Sequence, residues 1–316
     1  MLKEDEKSKE IVLVGSTGFV GSKVASLLSE KQIHLVLPSK NELNITSSRS
    51  IKQYMLSMKP KTLINFAAYT NIEKAEKQRR NKSGQVWKIN VDGPKKLAKL
   101  CRKSGIFFIH ISTDSVFPGT EESPGPYKED AIPPPSQKHL SWYSYTKLLG
   151  EQAAINSGAR YAIIRISYPF GNLHSKKDFL IKTLEYIKSG ARLFTDQNFT
   201  PTYIPDLAEL IAILVTLEKK GIYHAACTGI TSPHRFANYV RKKLDLKNKI
   251  YRQEISDYLN KPNYTYRSKF GGLLNKITQK SLNLKFSSWH RAIDDCLSQD
   301  NLFFIEQTKI IKQLST

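Results

Sequence analysis

Tyr143 and Lys147 are spaced i to i+4, so on a helix they share one face. A lysine ammonium beside a phenol stabilises the phenolate and lowers the pKa of the phenol. The phenol then becomes a usable general acid or base near neutral pH. Tyr145 is two residues from Lys147 and would point elsewhere. The spacing alone is common by chance, and a surface helix pair is the plain alternative. Upstream, Ile111-Ser112-Thr113-Asp114 closes a predicted strand, and ligands of an open α/β sheet bind at that end. Ser112 and Thr113 each offer a hydroxyl that could bond both a substrate carbonyl and the phenol. Asn65 and Asn90 are candidates for polar support, although a lone Asn is usually a cap or turn residue.

A second constellation reads Ile11-Val-Leu-Val-Gly15-Ser16-Thr17-Gly18-Phe19-Val20-Gly21. An apolar run, a glycine turn and a helical pattern follow in that order. Glycines there allow a tight turn, close approach to a pyrophosphate and close helix packing, and the helix N-terminus adds N–H donors toward the anion. The spacing is Gly-x-x-Gly-x-x-Gly, and its place after a buried strand raises it above an ordinary strand–helix turn.

The elements that must position these groups alternate along the chain. Predicted strands cover Ile11–Val14, Ile33–Leu37, Thr62–Ala68, Ile106–Ser112 and Tyr161–Ile166. Predicted helices cover Ser22–Lys31, Ile51–Met58, Val91–Ser104 and Trp142–Ser157. This order predicts an α/β fold, a doubly wound parallel sheet of the Rossmann type with a smaller, interleaved C-terminal substrate lobe. The expected division is a mobile tail at 1–10, a dinucleotide-binding domain at 11–167 and a substrate lobe at 168–316, of which about 200–230 returns to the sheet. Pro124–Pro135 reads as a long loop of the kind that covers sites in α/β enzymes.

The 316 residues are 40% hydrophobic, enough for a sizeable core. No apolar run is long enough to cross a bilayer, and the charged start lacks the apolar stretch of a secretory signal. Cys101, Cys227 and Cys296 are few and far apart, and no histidine spacing fits a metal, so neither a disulfide scaffold nor a metal site is expected. A reducing cytoplasm fits best. The net charge of +21 is spread along the chain, with local clusters at Lys74–Lys82, Lys95–Lys103 and Arg241–Lys249 that lack interleaved aromatics. A lysine-rich solvated surface is the better reading there than nucleic-acid binding.

Further blocks complete the pattern: Glu42-Leu-Asn-Ile-Thr46, Asn65-Phe-Ala-Ala-Tyr-Thr70, Ser112-Thr-Asp-Ser-Val-Phe-Pro-Gly119 and Tyr143-Ser-Tyr-Thr-Lys147-Leu-Leu-Gly-Glu151. After them come Asp196-Gln-Asn-Phe-Thr-Pro-Thr202, Asp206-Leu-Ala208 and Trp289-His-Arg-Ala-Ile293. In content and order the chain resembles the dTDP-4-dehydrorhamnose reductase family of extended short-chain dehydrogenases/reductases over nearly its whole length. The resemblance implies hydride transfer from a nicotinamide to the C4 keto carbon of a nucleotide-linked 6-deoxy sugar. By position, Tyr143 would protonate the alkoxide, Lys147 would hold the nicotinamide ribose and tune Tyr143, and Thr113 would bind the reacting oxygen. Gly15, Ser16, Thr17, Gly18, Phe19, Val20, Gly21, Ser39, Lys40, Ala67, Ala68 and Tyr69 would line the cofactor with Tyr143 and Lys147. Thr70, Asp114, Arg165, Tyr168 and Gln197 would face a nucleoside-diphosphate sugar. A homodimer is left open.

Cofactor choice is read at the end of the second strand, where an acid selects NAD and a basic neighbour accommodates the 2′-phosphate of NADP. Leu37-Pro38-Ser39-Lys40 shows no carboxylate, and Glu42 falls past the selecting position, so NADPH is expected and NADH left open. Arg165 and Arg192 are candidate contacts for the diphosphate. Four departures from the family pattern leave the Tyr143–Lys147 pair intact. Phe199 stands for a usual glycine, Tyr168 for a frequent tryptophan and Asn44 for an acid, and the loop from Glu129 to Tyr143 is about four residues longer. The alternatives are another nucleotide-sugar epimerase or reductase, and a non-catalytic NADP-binding regulatory subunit.

Overall fold

The structure is a computed structural model describing residues 10–262 and 264–313; of the expected tail, 1–9 lies outside the described residues. β1 (Ile11–Val14) is buried along its length, as a strand covered on both faces requires. α1 (Phe19–Glu30) starts directly after Gly18. β2 (Leu35–Val36) is shorter than Ile33–Leu37, because Ile33 N bonds back to Leu28 O at the end of α1 and Pro38 follows. α2 (Ser48–Met58) is capped by Ser47, whose side chain accepts from Ser50 N. β3 (Thr62–Asn65) stops before Ala68 because the Asn65 side chain accepts from Ala67 N and turns the chain.

Two short helices follow, α3 (Ile72–Glu76) and α4 (Gln85–Trp87). A π-helical turn over Lys88–Asp92 leads into α5 (Gly93–Ser104), which ends on Gly105 at φ +67°. β4 (Phe107–Thr113) is buried throughout, and α6 (Trp142–Ile155) carries Tyr143 and Lys147. β5 (Tyr161–Ile166), α7 (Phe179–Lys188), β6 (Arg192–Phe194), α8 (Ile204–Leu217) and β7 (Gly221–Ala225) come next. The remainder is α9 (Pro233–Lys243), β8 (Tyr251–Gln253), α10 (Ile255–Leu259), α11 (Lys276–Leu282), α12 (Trp289–Gln299) and α13 (Asn301–Gln313).

The main sheet has the order β2-β1-β3-β4-β5-β7, and β6 pairs with β8 in a small parallel sheet. β1 runs parallel to β2 and β3, and β3 parallel to β4. The register sets Val14, the last residue of β1, opposite Asn65, the last of β3, and Asn65 opposite His110, while β4 runs on three residues to Thr113. The glycine turn follows Val14 and the Ala67 loop follows Asn65 at that edge, where an open α/β sheet takes its ligands.

The chain divides into two compact units. The first takes in everything up to Ser112, then Trp142–Ile164 and Ala208–Tyr223. The second takes in Thr113–Ser141, Arg165–Leu207 and the chain from His224 onward. The second unit, expected to be the smaller, contains the larger share of the chain. It starts as early as Thr113, because the segment after β4 bonds to the chain near Phe270, as in Gly125 N to Phe270 O at 2.7 Å. Its core is rich in aromatic residues, among them Phe170, Phe179, Phe199, Phe236 and Trp289. The core of the first unit is built mostly from aliphatic residues such as Val12, Leu63, Leu97 and Ile163. Among the described residues no helix is long and apolar enough to cross a membrane.

Candidate active site

Gly15 sits at φ +84°, and a Cβ there would lie 2.7 Å from Ala67 N. A Cβ at Gly21 would lie 2.3 Å from Gly15 O. Only hydrogen fits at either position, so the turn, the Ala67 loop and α1 close directly on one another. Gly18 is the N-cap of the twelve-residue α1, and the start of such a helix suits an anion. Ser16 and Thr17 lie on the turn, and Phe19 and Val20 are half-buried in the first turn of α1.

Ser39 and Lys40 are exposed beyond β2. Ser39 N donates to Glu42 Oε2 at 2.7 Å, and Glu42 N donates to Ser39 Oγ at 3.3 Å. These bonds hold the Glu42 carboxyl below its ordinary pKa. Glu42, expected to fall past the selecting position, thus folds back onto Ser39. The chain makes a helical turn there, with Leu43 N bonded to Ser39 O at 3.0 Å, which folds position i+3 back onto position i.

Asn90 lies in the π-helical turn and is 1% exposed. Its Oδ1 accepts from Tyr69 N at 2.8 Å, and its Nδ2 donates to Tyr69 O at 3.1 Å and Thr146 Oγ1 at 3.2 Å. Thr146 Oγ1 in turn donates to Tyr143 O at 2.9 Å. One amide thus ties the loop after β3 to the helix of the Tyr–Lys pair, and single-turn π bulges often mark functional sites. Asn65 Nδ2 donates to His110 Nδ1 at 3.1 Å.

α6 covers both Tyr143 and Lys147, so the pair does share a helix face. Tyr143 is half-buried and packs near Trp142, Tyr69 and Tyr145. Lys147 is 2% exposed, and its Nζ donates to Ile111 O at 2.6 Å. Burial brings its pKa down to about 8, against the pull of the Glu151 carboxylate. Ser112 Oγ donates to Glu151 Oε2 at 2.7 Å. Of the two hydroxyls the sequence left open, Ser112 has its proton on an interior carboxylate.

Thr113, first residue of the second unit, receives a bond from Ser115 N at 3.3 Å, and its Oγ1 lies 3.2 Å from Asp114 Oδ1. Asp114 Oδ2 accepts from Ser167 Oγ at 2.6 Å, yet burial raises its pKa. Tyr168, at φ +40°, bonds to the Gln197 side chain, and burial pushes its phenol up to about 12 although the Arg267 charge opposes this. Gln197 Nε2 donates to Ser268 O at 3.2 Å. Asp114, Tyr168, Gln197 and Arg267 therefore form one polar cluster in the second unit.

The family described as RmlD substrate binding domain matches residues 9–302. The chain belongs to this RmlD family. The dTDP-4-dehydrorhamnose reductase of Mycolicibacterium smegmatis is 30% identical over 72% of this chain and 67% of its own length. The methionine adenosyltransferase 2 subunit beta of Xenopus laevis is 30% identical over 69% of this chain and 66% of its own. A solved dTDP-4-dehydrorhamnose reductase ortholog from Clostridium acetobutylicum superposes with a TM-score of 0.81 at 26% identity, over 92% of this chain and 99% of that one.

In this RmlD-family chain the first unit contains the glycine turn, Ala67, Ala68, Tyr69, Tyr143 and Lys147; Thr70 is exposed on the loop after β3. Arg165 is fully buried, with Nη1 3.4 Å from His224 Nε2 and its guanidinium over the Phe117 ring, so it is an interior cation. Arg192 is exposed beside Tyr251. The Phe199 and Tyr168 rings are tilted against each other with centroids 4.3 Å apart, and Phe199 is part of the core. Asn44 accepts from both Thr46 N and Thr46 Oγ1 and so stabilises a turn. Sequence reasoning missed Arg267 and Glu151. Arg267 sits in irregular chain with no motif, and nothing in the local spacing of Glu151 points to Ser112. Lys95, Lys99, Arg102 and Lys103 border a groove of about 630 Å³ floored by Trp87, Val91 and Leu149, which places one basic cluster on α5.

Proposed function

We propose that this RmlD-family protein is a reductase that converts the 4-keto group of a nucleoside-diphosphate-linked 6-deoxy sugar to an alcohol, with NADPH as cofactor. The observation that carries the reading is Lys147 buried on α6, one turn from Tyr143 and bonded to Ile111 O. An ammonium held there has a use that a surface pair does not. The first unit carries the cofactor: the cradle at Gly15 and Gly21, which a Cβ would fill, and the start of α1 at Gly18 fit a pyrophosphate. The second unit carries the recognition of the sugar nucleotide, through Asp114, Tyr168 and Gln197.

Bound NADPH supplies the hydride that goes to the carbonyl carbon. Tyr143 gives its phenolic proton to the carbonyl oxygen, which becomes the alcohol. Lys147 stabilises the phenolate left behind and holds the ribose hydroxyls of the cofactor, and solvent returns the proton to Tyr143. Thr113 hydrogen-bonds the reacting oxygen. Asn90 keeps the Tyr69 loop and α6 in fixed relation while this happens. The protein works in the cytoplasm.

Because one relative is described as a subunit of methionine adenosyltransferase, a second reading is a regulatory subunit that binds the cofactor without turnover. The purified protein, NADPH and dTDP-4-dehydrorhamnose distinguish the two. Consumption of NADPH with formation of the reduced sugar supports the reductase. Tight NADPH binding without turnover on any nucleoside-diphosphate 4-keto-6-deoxy sugar sinks it.

A further inference from the structure

α6 touches the end of β4 twice. Lys147 Nζ donates to Ile111 O at 2.6 Å, and one helical turn later Glu151 accepts from Ser112 Oγ at 2.7 Å. Tyr143, Lys147 and Glu151 are spaced i, i+4, i+8 and so lie along one stripe of the helix. Lys147, Glu151 and Ser112 are each no more than 2% exposed. A buried ammonium is costly unless a countercharge is near, and removing one partner of such a pair leaves the other uncompensated. The groups facing Lys147 from its surroundings are few. On β4, His110 is fully buried and held neutral by that burial, with Lys147 as a further cause, and Ile111 contributes a carbonyl dipole. On α6, Tyr143 lies one turn before it and Glu151 one turn after. On β5, the Tyr161 phenol is pushed up by burial and, after it, by the charge of Glu151. Glu151 is the carboxylate acting on Lys147.

We propose that Glu151 is a positioning residue of the reaction: it latches α6 onto Ser112, and it is the buried countercharge that keeps Lys147 an ammonium. The latch matters because Ser112 immediately precedes Thr113, so the strand residue before the oxygen-binding hydroxyl is fixed from the helix of the proton donor. The countercharge matters because neutral Lys147 cannot stabilise a Tyr143 phenolate. The inference rests on the proposed reductase reading for its catalytic consequence, but not for the Lys147–Glu151 coupling itself.

The test follows the 13Cε resonance of Lys147, assigned by its loss in Lys147→Arg, together with the pH profile of kcat. Glu151→Gln keeps the size and the acceptor for Ser112 but removes the charge. The Lys147 midpoint, about 8 in the wild type, should fall by about one pH unit. The alkaline limb of kcat should fall with it, so that activity at pH 7.5 drops about threefold relative to pH 6. Glu151→Asp, which keeps the charge but falls one methylene short of Ser112, covers the case in which Glu151→Gln does not fold. Its midpoint should stay near the wild-type value while kcat decreases. Coincident midpoints in wild type and Glu151→Gln, or unaltered kcat in Glu151→Asp, would overturn the proposal. A shifted midpoint in a protein that reduces no nucleotide sugar would uphold the coupling and reject the reductase reading instead.

Discussion

Asn90 Nδ2 donates to Thr146 Oγ1 at 3.2 Å, which fastens the π-helical turn to the residue before Lys147. The same amide makes two bonds to the Tyr69 backbone. Asn90→Ala leaves these groups unpaired in the interior and should cost about 1–3 kcal/mol in urea unfolding. Asn90→Asp keeps the acceptor for Tyr69 N but loses both donors, so it should lie between the two. Equal stability of all three proteins would mean that this amide is not a structural tie.

Tyr143→Phe removes the phenolic proton and leaves the ring packing. Turnover should fall roughly 100- to 10,000-fold while NADPH affinity survives. The check is steady-state turnover beside a fluorescence titration with NADPH. Near wild-type turnover would exclude Tyr143 as the proton donor.

The reciprocal bonds between Ser39 and Glu42 make cofactor choice a contest between neighbours. Lys40→Ala should lower the preference for NADPH over NADH about fivefold to tenfold, the size of a charge-assisted bond. Glu42→Gln should raise that preference, because it removes a carboxylate beside the 2′-phosphate position. The ratio of kcat/KM for the two cofactors decides it, and a ratio indifferent to both substitutions would remove this turn from the cofactor site.

His224 Nδ1 donates to Leu274 O at 2.7 Å, and burial, with Arg165 nearby, brings its pKa from 6.5 to about 3. Between those values the unfolded chain binds a proton that the folded chain does not. Folded-state stability is therefore lost as pH falls below 6.5, by about 1.4 kcal/mol per pH unit from this group. His224→Gln removes the titration. The stability of wild type relative to this variant should decline between pH 6.5 and pH 4.5, and a constant difference would show that His224 protonates freely in the folded protein.

What was legible in the sequence was local. β1, the glycine turn and α1 are contiguous, so their apolar run and glycine spacing could be read without any partner. The Tyr143–Lys147 pair needed only a helix, and the periodicity of 142–155 supplied one. β2 and β3 came out shorter than their apolar runs because single hydrogen bonds, from Ile33 N and to the Asn65 side chain, ended them early.

Tertiary structure decided the rest. That Ser112 turns to an interior carboxylate depends on Glu151, 39 residues away. Arg165 reads like a surface contact for a diphosphate until His224 and Phe117 enclose it. Arg267 joins Tyr168 and Gln197 from a stretch without periodicity. Sequence determines which groups exist and how they are spaced along an element, because covalent geometry fixes those periods. Which group faces which across elements is set only when the core closes, because burial then makes each polar atom take whatever partner the packing brings within reach.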